Sequence, residues 1–137
     1  MTKYCTSSSY GTVDNKTVLD PEDDVAHVKW GGSWRMPTKA EQDELHNNCT
    51  WIWTTQNGVK GYKVTSKSNG NSIFLPAAGY RYVTGLDYSG SYGHYWSNSL
   101  GGSYSYNACY LSFFYSDYYD RSLNLRYFGQ SVRPVSK

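Results

Sequence analysis

The chain has 137 residues, a formal net charge of +2, and equal 18% shares of aromatic and of charged residues. A chain of this length can bury roughly two-thirds of its unfolded surface around one core, so neither a disulfide framework nor a structural metal is required. Near-neutral charge, with Arg81, Arg121, Arg126 and Arg133 dispersed among aromatics, argues against a nucleic-acid binder, whose mark is a basic patch. No stretch is long and apolar enough to cross a membrane.

Residues 1–19 are rich in Ser, Thr and Tyr and have no helical period. Tyr4 to Thr6 and Thr17 to Leu19 read as short extended segments around a turn at Gly11 to Lys16. The opening Met-Thr-Lys-Tyr-Cys-Thr lacks the apolar run of a secretory signal, which fits either a protein made without a leader or a domain of a longer exported chain. Asp20-Pro21-Glu22-Asp23-Asp24 is expected to start a helix. Asp20 would cap it, Pro21 suits the first position, and the carboxylates face the positive end of the dipole. The run lacks the spaced ligands and the glycine of a calcium loop. This helix is expected to reach Val28 or Lys29 and end before Gly31-Gly32.

Thr38-Lys39-Ala40-Glu41 matches a capping box, so a second helix is predicted over Lys39 to Asn47. From Cys49 onward the pattern turns to strands. Trp51 and Trp53 alternate onto one side, Gln56-Asn57-Gly58 marks a hairpin turn, and Gly61 to Thr65 and Ser72 to Pro76 alternate around a turn at Ser68 to Asn71. Gly85 to Gly93 reads as glycine-rich loop. The order of two early helices followed by antiparallel strands is α+β, in a single domain over 1–137.

The last third is crowded with Tyr, Ser, Asn, Gly and Asp, the residues of antibody binding loops, where tyrosine gives rigid contact area and small polar groups adaptable hydrogen bonds. From Cys109 to Tyr115, Leu111 and Phe113 make one face, and Tyr110, Ser112 and Phe114 the other. Two bulky aromatics on that second face, joined by neighbouring tyrosines, form a patch of the kind that marks interaction sites. Cys5, Cys49 and Cys109 have no metal spacing. A Cys5–Cys49 bridge in an oxidising compartment and three free thiols both remain open.

Trp34-Arg35-Met36-Pro37-Thr38-Lys39-Ala40-Glu41 resembles the W-R-[LM]-P-T-x-A-E signature of formylglycine-generating-enzyme-type C-type lectin-like folds. Phe74 to Arg81, Gly93 to Ser99 and Gly129 to Val135 resemble the later signatures, closest to the bacterial major paralogous domain branch. Within that superfamily the chain is similar to the variable proteins of diversity-generating retroelements. There, template adenines are miscopied, and AAY codons become Tyr, Ser, Asp, His, Asn, Gly, Cys, Phe or Leu, among others, but never a stop.

The resemblance implies a C-type lectin-like fold with paired terminal strands, the Tyr4 region beside Ser131 to Val135, and Trp34 and Trp96 in the core. It also implies a variable region over 94–135, displaying Tyr104, Tyr106, Asn107, Tyr110, Ser112, Phe114, Tyr118, Tyr119, Asn124, Tyr127 and Phe128 on one face. The expected partner is a protein or glycan on another cell or host. The expected location is a bacterial surface, the extracellular space or a phage particle. The retroelement's reverse transcriptase would act on the gene and not on the protein.

An invariant surface adhesin or pilus-tip subunit of the same branch is the alternative. Calcium-dependent lectins carry E-P-N or Q-P-D with W-N-D, and this chain has only Trp96-Ser97-Asn98, so no metal or cofactor is expected. An oxidase of this superfamily needs a C-terminal cysteine pair, and only Cys109 lies there. His27, His46 and His94 stand apart in sequence, so no catalytic residues are expected.

Overall fold

The structure, a computed structural model, describes the chain from Met1 to Lys137 apart from the side chains of residues 118–122. It is an α+β fold. Two short helices, α1 (Val25–Trp30) and α2 (Lys39–Asn48), precede eight strands. β1 (Cys49–Gln56), β2 (Val59–Ser66) and β3 (Ser72–Pro76) form one antiparallel sheet. β4 (Tyr80–Tyr82) and β5 (Gly85–Asp87) form a small hairpin. β6 (Tyr92–Leu100), β7 (Asn107–Phe114) and β8 (Asp117–Leu125) form a second three-stranded sheet. Among the described residues no helix is long and apolar enough to cross a membrane.

Helix α1 starts a turn later than the sequence suggests. Asp20 to Asp23 make a tight turn, closed by Asp23 N and Asp24 N donating to Asp20 O at 3.0 and 3.1 Å. The cap is Asp24, whose Oδ1 accepts from Ala26 N at 2.9 Å and His27 N at 3.1 Å. The same buried carboxylate accepts from Met36 N, so it ties α1 to the stretch leading into α2. The upstream carboxylates serve the N-terminal segment instead: Lys3 Nζ donates to Asp23 at 2.7 Å, and Lys16 Nζ to Asp20 at 2.5 Å.

Helix α2 begins at the expected capping box. Thr38 Oγ1 accepts from Glu41 N at 3.1 Å, and Thr38 N donates to Glu41 Oε2 at 2.8 Å. Arg35 adds a two-pronged bridge to Glu41 at 2.7 and 2.6 Å. The Asn57-Gly58 loop closes the β1–β2 hairpin with φ of 49° and 79°, the doubly left-handed turn that matches strand twist.

The core lies between the two large sheets. Phe113 is its centre, with ring centroids of Tyr62, Tyr95, Trp51 and Trp53 at 5.3, 6.0, 6.1 and 6.4 Å. Val64, Leu75, Ala77 and Leu111 fill the remaining space. The two phenols of this core are satisfied: Tyr95 Oη donates to Pro76 O at 2.7 Å and Tyr62 Oη to Phe114 O at 3.2 Å.

Three expectations need correction. The C-terminal segment pairs with the stretch before α2 and not with the Tyr4 region: Arg35 and Val135 exchange both backbone hydrogen bonds, and Ser131 bridges to Tyr95. Tyr4 has a left-handed φ of 60° and cannot extend a strand there, and its hydroxyl bonds Asp23. Trp34 is 42% exposed, while Met36, two residues on, is buried. Trp96 is half-buried and faces away from the core. Cys5, Cys49 and Cys109 are all free thiols.

Candidate recognition surface

The second large sheet has two faces of opposite use. On β6, Gly93 and Tyr95 turn inward, while Tyr92, His94 and Trp96 turn outward. On β7, Leu111 and Phe113 turn inward, while Tyr110, Ser112 and Phe114 turn outward. The register sets these outward residues opposite one another as Tyr92 with Phe114, His94 with Ser112 and Trp96 with Tyr110. Tyr92 and Phe114 stack at 5.6 Å, and Trp96 meets Tyr110 edge-on at 5.8 Å.

Two further segments widen this row of rings. Arg81 N donates to Gly129 O at 2.6 Å and Gly129 N to Arg81 O at 2.9 Å, joining the β4–β5 hairpin to the strip that follows β8. That pairing stacks Tyr82 on Phe128 at 4.9 Å and brings Tyr80 to 5.6 Å from Phe128. Tyr127 stacks on Phe128 at 5.1 Å. Tyr80 in turn stacks on His94 at 4.7 Å, and Tyr88 reaches Tyr92 at 4.8 Å. The hairpin is held close by Gly79, with φ 70°, where a Cβ would stand 2.1 Å from Asp87 O. At its tip Val83 is 82% exposed with φ 53°, an outlying conformation for a β-branched residue.

His94 sits at the middle, between Tyr80 and Tyr110, and is 8% exposed. Burial pushes its pKa down from 6.5 to about 4, so it is neutral at pH 7. The outward positions of β6 and β7 thus carry no ionised side chain at that pH. The arrangement offers ring faces and edges and phenol hydroxyls; no charged group stands among these positions to drive proton transfer.

The structure divides the residues singled out from sequence. Tyr110, Ser112, Phe114, Tyr127 and Phe128 belong to this patch. Tyr104 and Tyr106 stack on each other at 5.4 Å and join Tyr10 at 5.3 Å, a separate cluster among the described rings. Asn107 has the parity of Cys109 and Leu111, so it points to the opposite face from Tyr110. The side chain of Asn124 is engaged locally, its Oδ1 accepting from Leu125 N at 2.8 Å. Tyr118 and Tyr119 lie outside the described side chains.

Sequence reasoning missed Tyr80, Tyr82, Tyr88, Tyr92, His94 and the outward position of Trp96. The signal for three of them was present: Tyr92, His94 and Trp96 share one parity on a strand whose other parity holds Gly93 and Tyr95. The hairpin tyrosines join through two distant pairings, Gly79 with Gly93 and Arg81 with Gly129, which no local pattern announces.

The carboxylates of Asp20, Glu22 and Asp23 converge within 4.8 Å, a spacing that suits a cation. Lys3 and Lys16 already pair with them, Lys16 with Asp20 and Lys3 with Asp23 and, at 3.5 Å, Glu22. No protein-family model matches the chain, and neither a curated protein nor a solved structure matches it.

Proposed function

We propose that the chain is a recognition domain whose outer aromatic face binds a protein or glycan on another cell or host. The observation that carries this reading is the continuous row of rings across β6, β7, the β4–β5 hairpin and the strip after β8. Monomeric proteins rarely expose connected apolar patches of this kind without a partner to cover them. Tyr and Trp are also the side chains that dominate interface energy when a partner buries them.

A C-type lectin-like scaffold diversified by a retroelement fits this reading. It accounts for the W-R-M-P-T-K-A-E stretch leading into α2 and for the miscopying residue set at Tyr110, Ser112, Phe114, Tyr127 and Phe128. Display on a bacterial surface or a phage particle belongs to the same proposal. One observation favours the alternative of an invariant adhesin: Tyr80, Tyr82, Tyr88 and Tyr92 belong to the patch but precede the 94–135 stretch. A reverse transcriptase gene beside a near-copy of the C-terminal coding segment separates the two readings.

The protein-level experiment is a small library of Tyr, Ser, Asn and Asp at Tyr110, Ser112, Phe114 and Tyr127, scored for melting temperature and for binding to candidate host cells. Folding retained with binding redirected supports recognition. General unfolding of the library would make these side chains structural and end the proposal.

A further inference from the structure

A second site lies at the Trp96 end of the second large sheet, where other segments close over β6 and β7. Leu19 N donates to Asn98 O at 2.9 Å and Leu100 N to Thr17 O at 2.8 Å, which pins the stretch before α1 onto β6. Trp96 N donates to Ser131 O at 2.9 Å, which fixes the strip after β8 beside the same strand. Between them a cavity of about 320 Å3 remains. Leu19, Val25, Met36, Leu100, Ala108 and Val132 make its apolar walls, together with Trp96 and Gly129.

The polar residues of the lining differ in what they have left to offer. Ser97 is 3% exposed, and its Oγ donates to Cys109 O at 2.9 Å. Gln130 brings no reachable polar side-chain atom, since its amide nitrogen and oxygen are both shut off from the surface. Arg126 is the remaining one, and it is half-buried. Its Nη1 donates to Ser105 O at 2.9 Å and Tyr4 O at 3.3 Å, and meets Met1 Sδ at 3.2 Å. The guanidinium also lies over the Tyr4 ring, 5.7 Å from its centroid, so it is held in place from two sides. Its Nε and Nη2 have no hydrogen-bond partner, and Arg126 forms no ion pair, among the described residues. Those two nitrogens make one edge of the planar fork, an edge that matches both oxygens of a carboxylate. No carboxylate lines the cavity among the described residues. Asp20 and Asp23, which meet the Tyr4 hydroxyl, are engaged by Lys16 and Lys3.

We propose that this cavity binds an aromatic monocarboxylate of one or two rings, its rings against Leu19, Val25, Leu100 and Val132 and its carboxylate on Nε and Nη2 of Arg126. The volume is about twice that of an apolar cavity known to take up benzene, so a fused bicycle is the right size. Apolar walls with one placed charged group are the usual composition of small-molecule sites. A fixed cation without a counter-charge favours an anion over a neutral molecule of the same shape, because hydrogen bonds between ionised partners are the stronger ones. The site does not rest on the recognition reading: Trp96 adjoins the aromatic face, but Tyr92, Tyr110, Phe114, Tyr127 and Phe128 are not in its lining.

The probes are 2-naphthoate, an anion at pH 7, and 2-naphthamide, which has the same shape and no charge. Titration of the whole protein, followed by calorimetry and NMR, is expected to show saturable naphthoate binding. Shifts are expected at the methyl groups of Leu19, Val25, Leu100 and Val132 and at Arg126 Nε. Naphthamide is expected to bind at least about fivefold more weakly, as the loss of a charge-assisted pair implies. Arg126→Met should erase that preference. Val25→Phe, which fills the cavity from an exposed position on α1, should abolish binding of both. No saturable binding by the native protein overturns the proposal, as do equal affinity for the two probes or shifts confined to Tyr92, Tyr110 and Phe114. If Arg126→Met fails to fold, the native comparison and Val25→Phe still decide.

Discussion

The ring of Phe113 occupies the space above Gly93 on the neighbouring strand: a Cβ on Gly93 would stand 2.0 Å from Phe113 Cζ. Gly93 is therefore needed for close approach. Its absent side chain lets the central ring of the core lie flat against β6 while Tyr92 and His94, on either side, point outward. Gly93→Ala is expected to destabilise by about 1–3 kcal/mol through overpacking, and Phe113→Ala by about 3–5 kcal/mol through the cavity it leaves. Combining Gly93→Ala with Phe113→Leu should be less damaging than the sum of the two, with a coupling of about 0.5–3 kcal/mol in a denaturant double-mutant cycle. Additive effects would show that the two do not meet.

The Arg35–Glu41 bridge and the capping box set a defined acid sensitivity. Hydrogen bonds from Arg35, reinforced by Thr38, bring the Glu41 pKa from 4.5 down to about 2. A depressed carboxylate contributes stability that is complete above pH 4.5 and is lost as pH falls toward 2. Urea titrations across that window should show the native protein weakening more steeply than Arg35→Met. Thr38→Ala should cost about 1 kcal/mol at pH 7 through the lost cap.

His94 acts in a higher window with the same sign. Its folded pKa of about 4 lies below the ordinary 6.5, so between those values the unfolded chain binds the extra proton and stability falls as pH falls. Its ring neighbours, Tyr80, Tyr92 and Tyr110, are uncharged in that range and offer no compensating charge. The loss between pH 6.5 and 4.5, above the Glu41 window, should be largely absent in His94→Phe. An unchanged pH profile in that variant would assign the titration to another group.

The Asp20, Glu22 and Asp23 group tests whether calcium matters. Lys3 and Lys16 already engage all three carboxylates, so thermal melting in millimolar calcium and in chelator is expected to coincide. A site filled only in the folded state would raise the melting temperature. A rise that grows in a Lys3→Met, Lys16→Met variant would show a cation competing with the lysines for those carboxylates.

Exposed rings at the rim should be cheap to change. Tyr127 is 66% exposed, so Tyr127→Ser is expected to alter stability by no more than about 0.5 kcal/mol. Trp34→Ala belongs nearer to this class than to the core losses that a buried tryptophan would bring, since Trp34 is 42% exposed. Chemical denaturation measures both.

What the sequence determined alone was the chemistry that closes within a few residues. Thr38 and Glu41 are three positions apart and cap α2 whatever surrounds them. Asn57-Gly58 makes its turn because those residues tolerate positive φ. The alternation of Tyr110, Ser112 and Phe114 against Leu111 and Phe113 follows from the two-residue period of any strand. The tertiary structure decided everything that depends on which distant segments meet. Asp20 and Asp24 are both competent caps, and Asp24 prevails because its carboxylate also accepts from Met36 N, twelve residues on. The C-terminal segment pairs with Arg35 and not with the Tyr4 region, which no local pattern decides. Tyr80, Tyr82 and His94 share one surface because the hairpin meets two other segments, Gly79 bridging to Gly93 and Arg81 to Gly129. A short-range hydrogen bond depends on the identity of residues that are always neighbours. A face assembled from three segments depends on packing that no single segment specifies.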